Sequence, residues 1–205
     1  MLPTEPIRSS DAEAEAAHLT ARLSNLAFLL FDMTPLLPDN RNLGDIAVAQ
    51  HAIRAFAVKG IARDASAITE NTSPEQIRLA LHRALDAIEH SPLPNQEWPR
   101  MIQLLGEDLL ETIVGASGSS VHRYRNEERP TPDPIAEKLH AVTLITADLA
   151  GSYNEFGIRR WFTRVRSQLD GRAPIEIMKG DWNTDDVDFQ KVKRLAAALT
   201  TPMSA

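Results

Sequence analysis

The chain predicts an all-α protein: an N-terminal helical bundle, a helix-turn-helix and a small C-terminal helical domain. Three observations predict it. Of its 205 residues 43% are hydrophobic but only 5% aromatic, so the core material is mainly Ala, Leu, Ile and Val, and Ala and Leu lose little entropy in helices. Apolar positions recur near the helical period, with little alternation of period two. Ser or Asp followed by Pro, at Ser73-Pro74 and Asp133-Pro134, marks helix starts, because Pro lacks a donor that has no partner there anyway.

Taken in order, residues 1–9 read as a flexible N-terminus, and a long helix runs from Ser10 or Asp11 to about Phe31, where Pro35 and Pro38 break the pattern. Gly44-Asp45 opens a second helix carrying Ile46, Val48, Ile53, Phe56 and Val58, and Gly60 ends it. A third runs from Pro74 to about His90 with Ile77, Leu81, Leu85 and Ile88 on one face. Ser91-Pro92-Leu93-Pro94-Asn95, with Pro99 beyond, reads as a linker over 91–99 between an N-terminal region, 10–90, and a second domain, 100–150. That domain holds a helix near Arg100–Leu105, the pair of helices between Glu107 and Arg129, and a long helix from Asp133. Residues 151–205 form the last domain, with helices near Tyr153–Arg166, from Pro174, and over Asp186–Leu199.

No cysteine is present, which excludes disulfides, thiolate metal sites and Cys nucleophiles and suits a reducing compartment. Early acidic residues (Glu5, Asp11, Glu13, Glu15) and the shortness of the apolar run Leu26–Phe31 argue against a leader or a span of roughly 20 residues. A cytoplasmic protein is expected. The histidines (His18, His51, His82, His90, His122, His140) include no i, i+3 or i, i+4 pair, and no P-loop, Rossmann glycine pattern or Gly-x-Ser-x-Gly elbow occurs. No metal, cofactor or enzymatic activity is expected.

The net charge of −6 is unevenly spread. Residues 1–98 carry 8 basic against 13 acidic residues (−5), residues 99–150 carry 5 against 8 (−3), and residues 151–205 carry 9 against 7 (+2). Arginines cluster at Arg123, Arg125 and Arg129 and again at Arg159, Arg160, Arg164, Arg166 and Arg172. Local basic patches are what phosphate contacts need.

Leu109, Leu110, Ile113 and Val114 give the first helix of a helix-turn-helix its inner face. Gly115 suits the left-handed turn, and Ser117 caps the second helix. In that helix only Val121 and Tyr124 are candidates for the core. A recognition helix leads with its N-terminal residues, so Gly118, Ser119, Ser120 and His122 are candidates for base edges, with the cap Ser117 in the same DNA-binding surface. Arg123, Arg125 and Arg129 are candidates for phosphate or guanine. The alternative is an ordinary helical hairpin with a polar face. From Gly115-Ala116-Ser117 through Tyr124 to Pro132 the stretch resembles the Xre-type helix-turn-helix repressors, departing from their pattern at Glu111 and at Glu127-Glu128.

Farther on, Trp161 and Phe162 are adjacent and leave a helix about 100° apart, so one is expected inside and the other against a neighbouring helix or a partner. Trp161 with Leu169, Gly171, Arg172 and Pro174 is similar to the C-terminal toxin-binding domain of the Xre/MbcA/ParS antitoxin family. That resemblance, over roughly residues 107–200, implies a DNA-binding autoregulator of a toxin–antitoxin pair. It would bind its own double-stranded operator and neutralise an NAD-consuming RES-type toxin. The implied partner surface is Arg160, Trp161, Arg164, Leu169, Gly171, Arg172 and Pro174, with the tail Thr200–Ala205 facing the toxin. The alternatives are a regulator whose C-terminal domain only dimerises and, more distantly, a helical adaptor that binds protein alone. A homodimer fits the roughly 34 Å spacing of operator half-sites.

Overall fold

The computed structural model describes residues 9–31, 46–67 and 72–200. Among them the protein is all-helical, with ten α-helices and no strand or sheet. Two earlier expectations, the break at Pro35 and Pro38 and the opening at Gly44-Asp45, lie outside the described residues.

α1 (Ser9–Phe31) is one unbroken helix of 23 residues. It packs against α2 (Ile46–Val58), α3 (Pro74–Glu89) and α7 (Asp133–Ala150). Its apolar side chains are supplied by Leu19, Leu23, Leu26 and Ala27, all buried, and Phe31 meets Phe56 of α2 edge to face at 4.9 Å. α3 starts as its Ser-Pro pair requires. Ser73 accepts from the Gln76 backbone N–H at 3.4 Å and Gln76 Oε1 accepts from the Ser73 backbone N–H at 3.3 Å, a reciprocal cap. Leu81, Leu85 and Ile88 are buried on its inner face, as the periodicity predicts, with Ile77 partly so.

The expected linker is the main correction. α4 (Pro94–Leu105) begins inside it, because Pro94 at the first helical position starts a helix as readily as it ends one. Pro99 is tolerated within the second turn, so 94–99 is helical and Trp98 is fully buried. Trp98 lies parallel to Tyr124 at 5.9 Å and donates its indole N–H to Thr131 Oγ1 at 2.9 Å.

One cluster of buried apolar side chains continues from α1 through α4 and α7 to the C-terminal helices. α7 is the shared wall, touching α1, α3, α4, α5 (Glu107–Val114), α8 (Glu155–Thr163) and α10 (Val187–Ala197). Polar contacts stitch the two ends of the chain to it. Arg22 donates to the Asp148 carboxylate at 2.8 and 3.3 Å, and Thr200 Oγ1 donates to the same Asp148 at 3.0 Å. Lys193 donates to Glu89 at 2.9 Å. Burial disfavours the Arg22 cation, but Asp148 and Glu89 outweigh it, and its pKa is raised. Thr200 is therefore buried against α7 rather than presented outward; residues 201–205 lie outside the described residues.

Candidate functional site

α5 (Glu107–Val114) and α6 (Gly118–Arg125) are eight-residue helices joined by the three-residue turn Gly115-Ala116-Ser117. Gly115 has φ 71° and ψ 33°, a left-handed conformation that only glycine takes without steric cost. Its N–H closes α5 on the Glu111 carbonyl at 2.9 Å. A second device seals the same helix end: Trp182, from the C-terminal segment, donates its indole N–H to the Ile113 carbonyl at 2.7 Å, and Lys138 lies over its ring at 5.5 Å. Leu110, Ile113 and Val114 are buried as the sequence predicts, and Leu109 is partly buried.

α6 buries only Val121 and Tyr124, which face Trp98 and the core. The expected base-edge residues fall at its N-terminal end, Ser117 as the cap and Gly118, Ser119 and Ser120 on the first turn, with His122 in the second. Ser117, in extended conformation, caps the helix through its backbone; its hydroxyl is occupied by Ser119 and Ser120 at 3.2 and 3.1 Å and makes no side-chain cap bond. Ser119 is exposed, and Gly118 and Ser120 are half-buried. His122 is exposed with the Asn126 amide over its ring at 3.2 Å. Arg123 and Arg129 are exposed and have no ion-pair partner among the described residues. Arg125 is exposed but held 3.7 Å from Glu107 of α5. Gly118, Ser119, Ser120, His122 and Arg123 thus lie together on one eight-residue helix capped by Ser117, with Arg129 in the loop behind it.

Glu111 and Glu127, where the pattern departs from the Xre type, both act on this surface. The Glu111 carboxylate lies over Gly118, the first residue of α6. Glu127 takes φ 58° at the turn that follows α6, a conformation that costs a non-glycine residue about 1–2 kcal/mol.

The C-terminal patch divides differently from the expectation. α8 (Glu155–Thr163) is shorter than Tyr153–Arg166, since Asn154 caps it at Gly157 N–H, 2.9 Å, and Arg164 is already extended. Trp161 and Phe162 are both buried, at 1% and 0% exposure, and meet edge to face at 5.3 Å. Adjacent residues can both be buried here because α8 has α4 and α7 on one side and α9 (Pro174–Ile177) on another. Leu169 and Pro174 are also buried. Trp161, Leu169 and Pro174 therefore hold the domain together and present no surface to a partner. Asp170 and Gly171 take left-handed φ of 56° and 76°, turning the chain so that Arg166 and Arg172 form one antiparallel bridge. Arg172 is committed to Asp188 at 2.7 Å, and Lys191 to Asp170 at 2.9 Å and Asp188 at 3.0 Å.

Arg160 and Arg164 remain outward. With Leu109, Phe156, Arg159 and Thr163 they line a shallow groove of about 630 Å³. Phe156 is 67% exposed, and Tyr153 and Val165 on the same segment are exposed too. Arg159 belongs to the arginine cluster read from the sequence but not to the partner surface expected there, and Phe156 is absent from both. The signal was present: Phe156 precedes Ile158, the first residue of the buried stripe Ile158-Trp161-Phe162, by two positions, about 200° around the helix, so it must face away from the core.

Among the described residues no group of three or more His, Asp or Glu could hold a metal ion, and no helix is long and apolar enough to cross a membrane. No family model, curated protein or solved structure matches this chain.

Proposed function

We propose that the chain is a DNA-binding regulator in which α5 and α6 act as a helix-turn-helix and α6 enters the major groove. One observation carries this reading: α6 spends only Val121 and Tyr124 on the core and leaves a contiguous polar and basic face of Ser119, His122 and Arg123 outward. That division is what a recognition helix needs, short side chains leading and arginines behind. Fluorescence anisotropy with DNA from upstream of the protein's own gene tests it. Arg123→Ala and Arg129→Ala each weaken binding and reduce the salt slope by about one. Arg125→Ala has a smaller effect, because Glu107 already holds that guanidinium. Unchanged affinity in both Arg123→Ala and Arg129→Ala overturns the reading.

The α8 groove favours an added protein-binding role. An exposed Phe156 beside Arg159, Arg160 and Arg164 combines the residue types that dominate binding hot spots, and three guanidinium groups suit an acidic partner. In the toxin–antitoxin reading that partner is a RES-type toxin, encoded next to this protein, and the whole is an autoregulated antitoxin. Arg160→Glu with Arg164→Glu then abolishes neutralisation in co-expression and leaves DNA binding intact. Full neutralisation by that variant removes α8 from the partner surface.

A further inference from the structure

Arg166 is held in place by both its backbone and its side chain. Its backbone N–H donates to the Arg172 carbonyl at 3.1 Å, and its own carbonyl accepts from the Leu169 and Gly171 N–H groups, both at 3.1 Å. Its guanidinium lies over the Trp161 ring, 4.8 Å from the centroid. Nε is shut from solvent, so the accessible part of this half-buried side chain is the fork of its terminal nitrogens.

What it lacks is an anion. Among the described residues Arg166 has no carboxylate partner and its Nε meets no acceptor; the indole N–H of the ring it covers is buried without a partner as well. Trp98 and Trp182, by contrast, donate to Thr131 and Ile113. Buried donors are nearly always paired, so two orphans side by side call for an explanation. Burial disfavours the Arg166 cation most, the Tyr153 side chain offsets part of this, Arg164 adds to it, and the pKa is lowered. A half-buried guanidinium with a second cation beside it and no counter-charge is a site short of one negative group.

The surroundings decide which negative group. Arg164 and Arg166 are both extended and two positions apart, which turns their side chains to one face. Arg164 also lines the α8 groove together with the exposed Phe156. A nucleic-acid backbone supplies phosphate but nothing to cover Phe156. An acidic protein segment supplies apolar side chains and a carboxylate, whose two oxygens match the planar fork. A guanidinium already stacked and pinned has little freedom left to lose on binding. We infer that Arg166, stacked on Trp161 and flanked by Arg164, receives one Asp or Glu carboxylate of an acidic protein segment docked along α8. This rests on the reading of the α8 groove as a protein-binding surface and names the group its partner must present.

Fluorescence anisotropy of the full chain with a labelled decapeptide of alternating glutamate and leucine, its ends uncharged, tests the assignment. The expected result is saturable binding that Arg166→Gln weakens about tenfold, the loss of one charge-assisted pair. Arg166→Lys recovers only part of it, since it keeps the charge and loses the fork. Arg54→Gln, which removes the same charge from an exposed position of α2, leaves binding unchanged. In a ¹H–¹⁵N spectrum of the parent chain the peptide shifts the Trp161 indole resonance and leaves those of Trp98 and Trp182 in place, a readout that needs no variant. The proposal is overturned by an absence of saturable binding, by full affinity in Arg166→Gln or Arg166→Lys, or by an unmoved Trp161 resonance. It is overturned too if Arg166→Gln weakens duplex DNA in place of the peptide. Loss of peptide binding in Arg160→Glu with Arg164→Glu but not in Arg166→Gln keeps the groove and overturns the receptor. Loss in Arg166→Gln alone keeps the receptor and overturns the groove. A thermal melt of each variant verifies the fold.

Discussion

Glu111 Oε1 stands 2.5 Å from the point that a Cβ on Gly118 would occupy, so the last turn of α5 places a carboxylate against the first residue of α6. A negative charge at a helix N-terminus stabilises the helix by about 0.3–1 kcal/mol. The same charge occupies the place where a helix N-terminus would receive a phosphate. Glu111→Gln is therefore expected to lower stability by about 0.5 kcal/mol in urea unfolding. It also tightens DNA binding several-fold at low salt. Equal or weaker DNA affinity in this variant would show that the Glu111 carboxylate stands away from the bound DNA.

Glu127 pays a conformational cost that glycine would not. Glu127→Gly is expected to raise the unfolding free energy by up to about 1 kcal/mol, and it removes an acidic group from the loop between Arg125 and Arg129. A melting temperature below that of the parent chain would show that the Glu127 side chain makes contacts worth more than the strain.

Glu97 and His140 form a pair buried at 0% and 4% side-chain exposure, bringing α4 to α7 across 43 positions of sequence. Removing one member leaves the other buried without its partner, which costs about 3–5 kcal/mol. Glu97→Ala and His140→Ala should each lower stability by that amount, and the double variant should cost clearly less than the sum of the two. Strict additivity would mean that the pair is not coupled.

Asp188 is held below the usual carboxylate range by hydrogen bonds from Arg172 and then Lys191, with their positive charge adding to the effect. Its folded pKa is below its unfolded value, so its contribution to stability is present above about pH 4. That contribution is lost as the pH falls through the folded value. Asp188→Asn should therefore lower the melting temperature at neutral pH and leave it nearly unchanged in strong acid. A difference from the parent that is constant across this range would assign the loss to packing and not to charge.

Much of the α5–α6 hairpin was legible in the chain because its rules act within one or two turns. Gly115 is the residue that takes left-handed backbone freely, and Val121 with Tyr124 are the apolar residues of α6 spaced to share a face. The same holds for Ser73-Pro74, where Ser73 caps α3 as expected; α7 begins at Asp133 as expected too, but with Pro132 and not Asp133 in the cap position. The proline-rich stretch 91–99 misled for the converse reason. Pro94 and Pro99 are compatible with either a break or a first turn, and the choice fell to Trp98, whose burial depends on Tyr124 and Thr131 more than 20 residues away.

By itself the sequence determined that the protein is helical, where most helices start, and which residues of α6 turn inward. Each follows from backbone sterics, capping and the 3.6-residue period. Only the tertiary structure decided that Trp161 and Phe162 are both buried while Phe156 is not, and that Arg125 and Arg172 are already paired while Arg123 and Arg160 are free of ion pairs among the described residues. Those outcomes depend on which surfaces meet. An aromatic or a guanidinium carries no local mark of whether its neighbour is a packed helix, a carboxylate from a distant segment, or solvent.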